Sequence, residues 1–159
     1  MTAETSKTKV LSRSFRIGIA VALTAGFVAG GALSASATTV YSNWVSWNSG
    51  TLTYSTRSYL TDAGTYGEQT KRSNDAVSPA GYLGSSIVVF TGTTACGSAG
   101  PLYNGSALVV EIVLNNSYSG LCSGTLPFYA KGIGYAYNPA TGGYVTKQGL
   151  ASPIKTLTH

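Results

Sequence analysis

Two cysteines constrain this protein more than any other feature. Cys96 and Cys122 are the only ones among 159 residues. They bracket a Tyr103-Asn104-Gly105-Ser106 turn and the apolar run from Leu108 to Leu114. A second apolar run, Ile87-Val88-Val89-Phe90, lies just before them. Paired, they would staple two central strands of a small β domain and stabilise it by roughly 3.5 kcal/mol in the chain-entropy account. Pairing needs an oxidising compartment, and the N-terminal segment gives the reason to expect one.

Lys7, Lys9, Arg13 and Arg16 form a basic stretch. Ile17 to Leu33 is apolar, and Ala35-Ser36-Ala37 fits a small-x-small cleavage site. That succession defines a secretory signal peptide. The apolar stretch is about 17 residues and is interrupted by Gly26, Gly30 and Gly31, short of the ~20 that a retained span needs. We therefore expect a signal peptide at 1–37, a single β domain at 38–159, a secreted extracellular product and no membrane association after cleavage. Arg13 and Arg16 are not adjacent, which favours the general secretory route over the twin-arginine one.

Removing 1–37 lowers the formal charge from +5 to about +2, and no basic run exceeds Lys71-Arg72, whereas a nucleic-acid site needs a dense basic face. Nucleic acid is excluded as a partner on that ground.

The remaining residues are rich in Thr, Ser, Tyr, Val and Gly and have no sustained 3.6-residue apolar period, so we expect strands and almost no helix. Val40 to Asn48 reads as one segment carrying Trp44 and Trp47. Leu52, Tyr54, Thr56, Ser58 and Leu60 share one parity of a half-buried strand. Thr61 to Gly64 is a turn, Thr65 to Lys71 a polar edge strand, and Ser73 to Pro79 a loop. Ile87 to Phe90 is apolar at both parities, which predicts a strand covered on both sides. Gly92 to Gly100 reads as a loop holding Cys96, and Asn104-Gly105 as a type I′ hairpin turn. Leu108 to Leu114 is a strand, with a turn from Asn115 to Ser119. In Phe128 to Tyr137 one face is bulky (Tyr129, Lys131, Ile133, Tyr135, Tyr137) and the other nearly bare (Gly132, Gly134 and alanines). Glycine at such positions marks a bend or a close approach. Asn138 to Gly143 closes a hairpin to Tyr144 to Gln148, and Ser152-Pro153 ends the regular pattern. Seven or eight such strands predict an all-β antiparallel sandwich or barrel.

Catalytic sets are missing. The only histidine, His159, is terminal, where an oriented imidazole for a nucleophile is hard to hold. No zinc-ligand spacing or phosphate-binding loop appears, so no metal or cofactor is expected. Asp62, Glu68 and Asp75 lie in polar loops or edges and read as solvated. Glu111 interrupts an apolar run: it either faces solvent on a one-sided strand or sits buried with a partner. A two-carboxylate glycosidase remains formally open.

The positive signal is aromatic, with 11 Tyr and 2 Trp. Some, such as Tyr54 and Tyr82, read as core filling. Tyr129, Tyr135 and Tyr137 with Lys131 form the candidate binding face, and Tyr144 in the following hairpin strand is a further candidate. Trp44 and Trp47 form a second candidate, which could dock as an added strand.

Gly81-Tyr82-Leu83-Gly84 before an apolar strand, the two cysteines flanking a hairpin, Tyr129-Ala130-Lys131-Gly132, Tyr144 and Ser152-Pro153 resemble a group of small secreted β-sandwich proteins of actinomycetes, over roughly 81–153. Much of that group has no assigned activity. The resemblance implies export, one disulfide and a sandwich, and carries over no catalytic residue. It also implies the role of a non-catalytic adaptor subunit in a secreted antibacterial toxin assembly. The leading expectation is thus a non-enzymatic protein that binds another secreted protein. A carbohydrate or cell-wall glycan module and an inhibitor of a secreted hydrolase follow, and an enzyme comes last.

Overall fold

The computed structural model describes residues 38–106, 109–117 and 122–158. The expected signal peptide, Leu108 and His159 lie outside them. Ten strands form two five-stranded antiparallel sheets. The first holds β1 (Thr39–Tyr41), β2 (Val45–Ser49), β3 (Leu52–Thr61), β4 (Thr65–Arg72) and β7 (Glu111–Ser117), in the order β1-β3-β4-β7 with β2 also on β3. The second holds β5 (Leu83–Thr91), β6 (Thr94–Tyr103), β8 (Thr125–Asn138), β9 (Gly143–Gln148) and β10 (Lys155–Thr158), in the order β10-β8-β5-β6 with β9 also on β8. The fold is an all-β sandwich. No α-helix occurs among the described residues, only a 3-10 turn at Ser73–Asp75.

The strand count exceeds the expected seven or eight because two edges are broken. β1 and β2 pair with opposite ends of β3, from Tyr41↔Tyr59 and from Val45↔Thr56. At the break, Ser42 Oγ accepts from the Ser58 amide at 3.0 Å. Likewise the 14-residue β8 carries β10 on its first half and β9 on its second. The backbone therefore returns to strand beyond Ser152-Pro153, where the sequence pattern alone ends. Ser152 Oγ takes the Ala130 amide at 2.9 Å and guides the backbone along β8 again.

Four local expectations are corrected. β4 is an interior strand, since β7 covers its free side from Lys71↔Glu111 to Thr65↔Ser117. Residues 94–103 form β6, joined to β5 by a tight turn with Gly92 at φ +55°, so Cys96 sits in a strand. Asn104-Gly105 is not a hairpin turn, because β6 and β7 belong to different sheets. Asn104 is buried instead: its carboxamide accepts from the Leu83 amide at 2.8 Å and donates to the Pro79 and Ser106 carbonyls. On β5, Ile87 and Val89 are buried while Val88 and Phe90 are half-buried, so only one face meets the core.

The interior is divided. One apolar cluster contains Leu60, Tyr66, Ile87, Val89, Leu114 and Phe128. The other contains Trp47, Tyr54, Leu83, Ile112 and Ala136. Between them along the same inward parities run Thr56 and Ser58 on β3, Glu68 and Thr70 on β4, and Ser85 on β5, all buried. The disulfide Cys96–Cys122 is formed, with Cα atoms 5.3 Å apart. It ties edge strand β6 to the segment entering β8, rather than two central strands, and Cys96 joins the first cluster.

Candidate functional site

The alternation of β8 decides where its aromatic side chains go. Phe128, Ala130, Gly132, Gly134 and Ala136 are buried; Tyr129, Lys131, Ile133, Tyr135 and Tyr137 are half-buried on the outer face. β9 pairs Tyr144 with Tyr137, which places both on that face. β5 and β6 pair Gly84 with Tyr103. A Cβ at Gly84 would lie 2.6 Å from the Tyr103 ring, so the bare backbone there is what lets that ring lie flat on the sheet.

Five tyrosines meet as a result. Tyr103 lies 4.8 Å from Tyr144 and 5.8 Å from Tyr135. Tyr137 lies 5.4 Å from Tyr144 and 4.9 Å from Tyr82. The rings meet at interplanar angles from 38° to 82°, the tilted and edge-to-face geometries that aromatic pairs favour. Tyr144 Oη donates to the Gly81 carbonyl at 2.6 Å, and Tyr135 Oη lies 3.2 Å from Ser86 Oγ. Tyr144 is nonetheless 42 % exposed. An open cleft of about 350 Å³ lies beside it, lined by Ala80, Gly81, Tyr82, Tyr137 and Tyr144. Burial, followed by the neighbouring Tyr144 and Tyr135, raises the Tyr103 hydroxyl above its usual range.

Of the residues expected to bind, Tyr135, Tyr137 and Tyr144 are brought together. Tyr129 is on the same face but apart, stacked on Phe90 at 5.3 Å with its hydroxyl on the Gly92 carbonyl. Lys131 stands between Tyr129 and that group. Trp44 lies on the other sheet's outer face, where it and Tyr41 hold the Arg57 guanidinium at 4.4 and 4.1 Å, with Lys71 also over Trp44. Trp47 is corrected outright: it is a core residue, 9 % exposed and 5.9 Å from Tyr54, and it fills the space left by Gly134. Tyr82, read from the sequence as core filling, is half-buried on the outer face; its opposite parity to Leu83 is the available signal. Tyr103 has none, because only the register of β6 on β5 places it.

The polar belt holds the largest surprise. Glu68, expected in solvent, is 0 % exposed. Thr56 Oγ1 and Ser58 Oγ donate to its two carboxylate oxygens at 2.5 and 2.6 Å. Ser58 Oγ in turn accepts from the Gly132 amide of the opposite sheet at 3.0 Å. Thr56, Thr70 and Ser85 extend this line of hydroxyls at 3.1 and 2.8 Å. Burial pushes Glu68 up to about 7, against which the Ser58 and Thr56 hydrogen bonds work. Both ion pairs among the described residues, Lys71–Asp75 and Lys155–Asp62, lie elsewhere. Glu111 faces outward opposite Lys71 in the register, on the opposite face of the same sheet from Glu68, so these two cannot form a carboxylate pair. No group of metal-ligating side chains occurs among the described residues.

These features define a class: a disulfide-stapled β-sandwich with a tyrosine face on one side and a cation–aromatic cluster on the other. Comparison with protein-family models, curated proteins and solved structures gives no match.

Proposed function

We propose that the protein is a secreted, non-enzymatic interaction protein that binds another extracellular protein through the tyrosine face of the second sheet. The observation carrying this reading is the packing of Tyr82, Tyr103, Tyr135, Tyr137 and Tyr144 into one partly exposed cluster. Tyrosine gives large contact area with a polar tip and little entropy to lose, which suits protein interfaces. The rings meet at tilted to edge-to-face angles rather than in one plane, which favours an irregular protein surface over a flat sugar ring. The Tyr41–Trp44–Arg57 cluster on the opposite side offers a second surface, as an adaptor within a toxin assembly would need.

Affinity capture from culture fluid with tagged protein, followed by mass spectrometry and light scattering, tests the reading. A stoichiometric protein partner is expected, lost with Tyr137→Ala or Tyr144→Ala. A partner-free monomer, or retention on peptidoglycan that the same substitutions abolish, would replace it with the glycan reading or none.

A further inference from the structure

Among the described residues, the tyrosine face carries a single charge. Among the described residues at strand positions facing outward from the second sheet, only Lys131 is charged. Lys147 has the parity of Val145, which packs on the core, and Lys155 pairs with Asp62. No carboxylate among the described residues shares the face. Asp62 lies in the β3–β4 turn, Asp75 pairs with Lys71, Glu68 is interior, and Glu111 faces outward from the first sheet. Neither ion pair among the described residues includes Lys131. Lys131 lines a depression of about 100 Å³ together with apolar Val88, Phe90 and Ile133 and polar Ser86 and Gln148.

We propose that the partner segment seated on this face carries a carboxylate, from an Asp or Glu residue or from a free C-terminus, that enters this depression and pairs with Lys131. The proposal rests on the protein-binding reading above and names the chemistry of the partner. Covering the face removes Lys131 from water, and an ammonium buried without a counter-charge is strongly unfavourable. The face itself has no acid to offer, so the partner must supply one. Ser86 and Gln148 line the same depression and carry a hydroxyl and an amide, donor groups that can complete the satisfaction of a carboxylate which a point charge alone would leave incomplete. The same argument excludes a twofold contact of this face with itself. In a twofold contact each copy brings the same patch, so two lysines and no carboxylate would meet there. Charge complementarity of this kind sets partner choice more than raw affinity.

The test pans random dodecapeptides, displayed with free C-termini, against the purified disulfide-intact protein. Enriched peptides should share an Asp or Glu, or depend on the terminal carboxylate, within an apolar or aromatic setting. Synthetic peptides with Glu→Gln or an amidated terminus separate those two sources. Either change that removes the operative carboxylate should weaken binding to the wild-type protein about tenfold or more, and should have no effect on Lys131→Met. Lys131→Glu should instead enrich basic peptides. Melting temperatures within a few degrees of wild type verify that these surface variants fold. Peptides without a carboxylate, or equal binding to Lys131→Met, overturn the proposal. If such peptides still need Tyr137, the protein-binding reading survives. Enrichment indifferent to both Lys131→Met and Tyr137→Ala, or none at all, overturns both. Lys131-dependent binding of polygalacturonate without peptide binding replaces the protein partner by an acidic glycan. A dimer in sedimentation that Lys131→Glu abolishes overturns the choice of partner.

Discussion

The two faces of β8 obey the same alternation and invert the usual rule. The inner face is nearly bare and the outer one is heavy with tyrosine. Inside, the volume comes from the opposite sheet: Trp47 and Thr56 press on Gly134, and the Glu68 carboxylate on Gly132. Outside, the rings have no second layer among the described residues and pack against each other. A glycine-rich parity in a strand thus does not mean an empty surface. It means that the space is filled from across the interface, and here part of the filling is polar.

Substitutions can separate the two faces. Gly132→Val should have the largest effect, costing about 4 kcal/mol or more or preventing folding. Its Cβ would overlap Glu68 Oε2 and fall 2.6 Å from the Ser86 carbonyl. Denaturant melting of the variant measures this, and a loss below about 1 kcal/mol would mean that the sheets part easily. Next comes the staple. Replacing both cysteines by serine should lower stability by roughly 3.5 kcal/mol, read from the same melts. An unchanged midpoint would show that the first apolar cluster holds without it.

Glu68 gives the inner face a pH signature. Its folded value, about 7, lies above the ordinary 4.5, so the folded state binds the proton more tightly than the unfolded one. Stability from this group is full below 4.5 and is lost as pH rises through 7, by roughly 3 kcal/mol. Glu68→Gln should flatten that slope and leave the variant more stable than wild type above pH 8. Melts from pH 4 to 9 decide the matter, and a slope retained in the variant would assign the effect to another group. The smallest expected change in stability is on the outer face. Tyr137→Ala and Tyr144→Ala should shift it by about 1 kcal/mol or less while removing the partner. A larger loss would make the cluster structural rather than recognitive.

Much of the fold was legible locally. The parity of Leu52 to Leu60 and of Phe128 to Tyr137 gave β3 and β8 with their inward faces. The 138–143 hairpin and the cysteine pairing followed from turn residues and compartment. What was misread depended on neighbours distant in sequence. Thr65 to Lys71 looks like an edge because it is polar. β7 makes it central, and the hydroxyls of Thr56 and Ser58 make a buried glutamate tolerable there. Trp47 looks like a ligand anchor until Gly134 is seen to leave its indole a place in the core.

By itself the sequence determined an all-β antiparallel domain, because strand parity is a local property of alternating side chains, and the two-sheet pairing decided sandwich over barrel. It also marked Tyr129, Tyr135 and Tyr137 as one face, since the spacing within β8 fixes them, and the register of β9 added Tyr144. Only the tertiary structure decided that Tyr103 completes that face, that Lys131 is its single charge among the described residues, and that Glu68 is sealed between the sheets. Those outcomes depend on register and on which sheet lies opposite. Register and sheet packing are set by contacts between residues tens of positions apart, which no local pattern encodes.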